Sequence, residues 1–157
     1  MPANFSPIFP LTPNLGVAGV LLTTAMTNTK AFDGTEAAGT PMALIYTAGS
    51  NGSRVDKINI RYQSTAGATA SGTTTATLVR FWINNGSVNT TASNNILLGE
   101  IALPAQAVTA LGTSVLPVYT FTDIPTLPNG YKLYAGLTVA IGGTNCAVGV
   151  SAFGGDY

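Results

Sequence analysis

Histidine is absent from the 157 residues, cysteine occurs once, and charged side chains make up only 8%. Each shortage excludes something. Without histidine there is no imidazole general base, no Ser-His or Cys-His nucleophile pair, and no imidazole metal ligand. A single cysteine, Cys146, permits no disulfide within the chain. It lies in an apolar run and reads as a small buried hydrophobe. The acids are Asp33, Glu36, Asp56, Glu100, Asp123 and Asp156, and no spacing among them sets two carboxylates across a cleft as a glycosidase needs. Asp33-Gly34-Thr35-Glu36 lacks the oxygen spacing of an EF-hand loop. Gly142-Gly143-Thr144 lacks the lysine of a phosphate loop. The sequence thus predicts no catalytic residue, no cofactor and no metal site, and so no enzyme.

The scarcity of charge has further consequences. An ordinary soluble domain carries about 25% charged residues. Here six basic and six acidic residues cancel, and a neutral surface does not steer toward nucleic acid or anionic lipid. Arg54, Lys57 and Arg61 fall close together, but Arg54 is out of phase with the other two. They read as a solvated strand face, or as cations pairing with Asp56 and other acids, and not as a nucleic-acid stripe. No apolar run reaches the roughly 18 residues of a membrane helix; Leu15 to Met26 is shorter and carries Thr23 and Thr24. The opening MPANFSPIFP has no basic stretch, so no secretory signal is expected there. Solubility near zero net charge is precarious for a monomer. That points toward an oligomer or a host surface that covers part of the chain.

What is present is β structure. Hydrophobic residues make up 46%, enough for a core. Eight segments read as strands: 20–26, 42–48, 56–63, 76–84, 96–103, 115–122, 131–140 and 146–153. In 56–63, Ile58, Ile60 and Tyr62 alternate with Lys57, Asn59 and Arg61, the period-two signature of a half-buried strand. Asn85-Gly86 and Pro128-Asn129-Gly130 are turn signals, and no segment shows a convincing helical stripe. Many short strands with Gly and Pro turns predict an all-β fold: an antiparallel β-sandwich of about eight strands, jelly-roll-like.

Residues 1–19 are set apart from the sandwich domain, 20–157. Pro2, Pro7, Pro10 and Pro13 exclude a helix and favour extended backbone. Phe5, Ile8, Phe9 and Leu11 lie between them, so this arm is expected to pack on its own domain or on a neighbour. A second candidate contact is on the strand 76–84. Opposite Val79, Phe81 and Ile83 its other face carries Leu78, Arg80 and Trp82, and Trp and Arg are enriched at interface hot spots. Two readings stay open: another subunit or the arm covers this face, or Trp82 belongs to the core.

Four segments, in order, resemble small virion proteins of tailed bacteriophages. They are Thr47 to Ile58 (TAGSNGSRVDKI), Arg80 to Gly86 (RFWINNG), Leu127 to Ala135 (LPNGYKLYA) and Gly154 to Tyr157 (GGDY). The resemblance implies a capsid decoration, or cement, protein: a β-sandwich that sits as a homo-dimer or homo-trimer on the capsid surface of the virion and clamps neighbouring major capsid subunits. Similar domains serve in fibres or spikes, which gives an alternative expectation, a receptor- or glycan-binding head. Tyr46, Tyr119, Tyr134 and Trp82 are the candidates for stacking on sugars in that case.

Overall fold

A computed structural model of the chain describes residues 10–17, 19–26, 42–65, 70–108 and 116–157. The strands are β1 (Thr12–Asn14), β2 (Val20–Leu22), β3 (Ala43–Thr47), β4 (Ser53–Ser64), β5 (Gly72–Thr73), β6 (Thr77–Asn84), β7 (Asn95–Leu103), β8 (Ala107–Val108), β9 (Tyr119–Phe121), β10 (Lys132–Leu137) and β11 (Cys146–Asp156). One sheet runs β1-β11-β4-β9, with β2 also on β11; a second runs β3-β10-β6-β7; β5 and β8 form a small ribbon. All these pairings are antiparallel. If β1 and β2 are taken together as one strand, β11 pairs with the first, β10 with β3, β9 with β4, and β7 with β6. Together with the β11-β4 and β10-β6 pairings, these pairs build an antiparallel all-β sandwich of two sheets.

The core is where alternation on the two sheets meets. Val55, Ile58, Ile60, Tyr62, Val148, Val150 and Ala152 face Val79, Phe81, Leu133, Ala135 and Leu137 in one apolar cluster. The expected division of β4 holds: Ile58, Ile60 and Tyr62 are buried, while Lys57 and Arg61 are exposed. A register shift opposite Phe153 and Gly154 leaves Asp56 as an extra residue on β4, so Val55 also turns inward. Cys146 is buried and free. Arg54 and Asp56 form an ion pair at 2.9 Å, and both side chains are largely exposed; such a pair contributes little to stability.

Gly99 shows how closely the sheets approach. It pairs with Phe81 across β6 and β7, and the Phe121 ring of the other sheet lies where a side chain would go, 2.7 Å from an added Cβ. Phe121 stacks on Phe81 with ring centroids 5.0 Å apart. Gly99→Val is therefore expected to destabilise the fold by about 1–2 kcal/mol through overpacking. Urea denaturation followed by circular dichroism measures it; an unchanged midpoint would show that the two sheets separate freely at this edge.

Candidate interaction surface

The four segments that carry the resemblance are far apart in the chain, and folding gathers them at one end of the sandwich. Ser53 and Leu127 exchange backbone hydrogen bonds at 2.9 and 2.8 Å. The Tyr157 N–H donates to the Gly52 carbonyl at 3.1 Å, and the Ala48 N–H donates to that of Tyr131 at 2.8 Å. Lys132 Nζ reaches the Gly86 carbonyl at 3.3 Å. Two glycines make this closeness possible. Gly52 (φ +89°) and Gly86 (φ +90°) occupy backbone conformations that disfavour side chains, and an added Cβ would stand 2.7 Å from the Leu127 carbonyl and 2.8 Å from that of Gly130.

Asp156 is the centre of this end. Its carboxylate accepts from Ser53 Oγ, from Asn14 Nδ2 at 2.9 and 3.0 Å, and from the Tyr46 hydroxyl at 3.4 Å. The Gly49 N–H supports the arrangement by donating to Ser53 Oγ at 3.0 Å. Burial pushes the Asp156 carboxyl up, but the donors Ser53, Asn14, Gly49 and Tyr46 together outweigh it and hold the group below its ordinary value. The Tyr46 phenol is pushed up to about 12, first by burial and further by the Asp156 charge, against the lowering effect of its Ser53 bond. Asn14 also ties β1 to the opposite sheet, donating to the Thr47 carbonyl at 3.3 Å. One carboxylate thus joins β1, the 49–53 turn, β3 and β11.

The turn expected at Asn85-Gly86 is the start of a longer loop, 85–94, that ends in a short 3-10 turn, Ala92–Asn94. Asparagines brace it. Asn84 Nδ2 donates to Asn95 Oδ1 at 2.8 Å, Asn94 Nδ2 to the Val88 carbonyl at 2.9 Å, and Asn95 Nδ2 to the Asn89 carbonyl at 2.7 Å. A loop held in this way presents its apolar side chains in fixed positions. Val88 is 63% exposed and Ile96, at the start of β7, is 71% exposed. Leu11 is 83% exposed, and its N–H donates to the Asp156 carbonyl at 2.7 Å. Three large apolar side chains are therefore displayed at the end organised by Asp156.

The residues singled out in the sequence are distributed as follows. Phe5, Ile8 and Phe9 lie outside the described residues, as do Asp33 and Glu36. Leu11 is at the surface, next to the three residues of β1 that pair with β11. Leu78 is half-buried and lines a shallow apolar groove of about 390 Å³ with Ala102, Pro104 and Val139, at the other end of β6. Arg80 is buried, and its Nε meets Glu100 at 2.5 Å across β6 and β7. Trp82 is fully buried with Met26, Met42, Leu44, Leu97 and Tyr134. The face assignment thus holds and the cover comes from the chain itself, because Met26 and Met42 lie over the outer side of the β3-β10-β6-β7 sheet. Of the four aromatics considered for sugar stacking, Tyr46, Tyr134 and Trp82 are buried and cannot serve; Tyr119 is half-buried.

Reasoning from the sequence missed Asp156, Ser53 and Asn14 as a unit. The available signal was the GGDY segment: an acid directly after two glycines, where the backbone lets neighbours approach. Among the described residues no three His, Cys, Asp or Glu side chains are grouped to hold a metal ion, and no helix is long and apolar enough to cross a membrane. The fold and this surface define an all-β sandwich with one end braced by polar side chains. Comparison with protein-family models, with characterised proteins and with solved structures returns no match for the chain.

Proposed function

We propose that the chain is a structural protein of a tailed-phage virion, a non-enzymatic cement protein that binds the outside of the capsid and stabilises the shell by bridging major capsid subunits. The observation that carries this reading is the convergence of the four virion-protein-like segments at the end of the sandwich organised by Asp156. A bridging protein needs a stiff body with apolar side chains held in fixed positions, and Leu11, Val88 and Ile96 at this end meet that need. Low charge suits it too, because ions buried in a contact must first lose water. Binding assembled shell in preference to free subunits stabilises the shell by mass action. Self-association as a dimer or trimer would let one particle of cement touch several capsid subunits at once.

The test is co-sedimentation with undecorated capsids. Wild-type protein is expected to bind stoichiometrically. Val88→Asp and Ile96→Asp are each expected to weaken binding by roughly tenfold or more, the effect of burying an unpaired charge. Val139→Asp, at the opposite end and also exposed, is expected to bind like the wild type. Absence of stoichiometric binding by the wild type would remove the proposal, and equal loss in all three variants would remove the assignment of the end.

A further inference from the structure

The outer face of the β1-β11-β4-β9 sheet carries a depression of about 430 Å³, within the size range of small-ligand sites. Its shape follows from the register. One row across the sheet runs from Arg61 on β4 to Gly149 on β11 and Leu21 on β2. The next sets Asn59 beside Ser151, and a third sets Lys57 beside Phe153. The central positions, Gly149 and Ser151, are small, while Leu21 on one side and Val118 on the other are exposed apolar walls. The result is a bounded hollow in a sheet face that would otherwise be flat.

The chemistry of the hollow is distinctive in a chain so poor in charge. No acid lines it. Arg54 and Arg80 are each paired with a carboxylate, and Lys132 donates to the Gly86 carbonyl. Arg61 has neither an ion-pair nor a hydrogen-bond partner among the described residues. The Gln63 amide lies over Gly149, about 2.7 Å from where a Cβ would be. Asn59 uses its Oδ1 to accept from Thr120 at 3.3 Å, which leaves its amide donors directed elsewhere. Lys57 stands over the Phe153 ring at 5.5 Å and adds positive potential at the rim.

We infer that this hollow is a binding site for a carboxylate-bearing saccharide, with Arg61 taking the carboxylate and Asn59, Gln63 and Ser151 the hydroxyls. A guanidinium matches a carboxylate in a two-point geometry. Amide and hydroxyl side chains both donate and accept, as sugar hydroxyls do. An extended acidic peptide fits less well. Peptides on sheets are usually held by a free strand edge, whereas β4 and β11 are paired on both sides and offer only side chains. The inference stands apart from the capsid proposal, since it concerns a different face and needs no shell.

The test is an NMR titration of the isolated chain with trigalacturonate and with sialyllactose, using maltotriose as a neutral saccharide and triglutamate as an acidic peptide. Saturable shifts at the Gly149 and Ser151 amides and the Arg61 Nε–H are expected with at least one acidic saccharide. Maltotriose and triglutamate are expected to bind more weakly. Arg61→Met should weaken the acidic saccharide by roughly tenfold, and Ser151→Leu should abolish binding by filling the hollow while the melting curve stays unchanged. No saturable shift with either acidic saccharide, or undiminished affinity in Arg61→Met, would overturn the inference. Tighter binding of triglutamate would reassign the hollow to an acidic peptide.

Discussion

Trp82→Ala is expected to cost about 3–5 kcal/mol, the usual loss when a large buried aromatic is truncated. Its ring is fully buried against Met26, Met42, Leu44, Leu97 and Tyr134, and the sheet beneath cannot collapse into the space because β6 is paired on both sides. For a chain of this size the loss corresponds to a fall of about 6–20 °C in Tm. Trp82→Phe is expected to cost less than half as much. The indole Nε1 has no hydrogen-bond partner among the described residues, so Phe gives up packing but no bond and relieves a buried donor. Denaturation followed by circular dichroism compares the two. A loss below about 1 kcal/mol for Trp82→Ala would show that this outer cluster is not closed by the chain's own residues and would return the face to candidate interfaces.

Asp156→Ala is expected to be nearly as damaging, at about 3 kcal/mol. Ser53, Asn14 and Tyr46 would all lose their shared acceptor, and bonds to a charged group are worth about 1.5–3 kcal/mol each. The pH dependence gives a sharper signature. The folded carboxyl titrates below its ordinary value, so its contribution is complete above roughly pH 4. It is lost as pH falls through the folded value, because the unfolded chain then binds the proton at higher pH than the folded one. The Tyr46 phenol acts at the other extreme. Its folded pKa of about 12 lies above the unfolded value of 10, so its contribution is complete below about pH 10 and is lost as pH rises through 12. Stability of the wild type is expected to be level in the neutral range and to fall at both ends. Asp156→Asn should flatten the acid limb, and Tyr46→Phe should make the alkaline limb shallower without removing it, because burial also raises the Tyr62 and Tyr134 phenols. An acid limb unchanged in Asp156→Asn would show that the carboxylate network does not hold this end together.

All eight strands expected from alternation and turn signals have counterparts in the sandwich, because a half-buried strand writes its period directly into residue order. Other features do not. β1 was hidden by Pro13, which removes a backbone donor and reads as a breaker. It is tolerated because β1 is an edge strand that meets only β11. The extra residues at Asp56 and in β3 and β7 are responses to sheet curvature, which no local pattern encodes. The Asn14–Asp156 contact joins residues 142 apart. It arises only once β1 has paired with β11, so neither residue reveals its partner. Trp82 is the instructive middle case. Alternation left its face open between an outer contact and the core; it lies on the outer face, and Met26 and Met42, which cover it, come from a different part of the chain. Composition made the binding of surfaces a better expectation than catalysis, yet the hollow on the outer sheet face could be seen only once Gly149 and Arg61 became neighbours.

A cryo-electron map of capsids mixed with the purified chain tests directly whether this protein is a cement for the shell. Ordered density is expected for the sandwich on the outer shell, spanning adjacent major capsid subunits, with the end formed by Asp156, Val88 and Ile96 turned toward the shell. Capsids that stay bare, or density found only on tail or fibre structures, would contradict it.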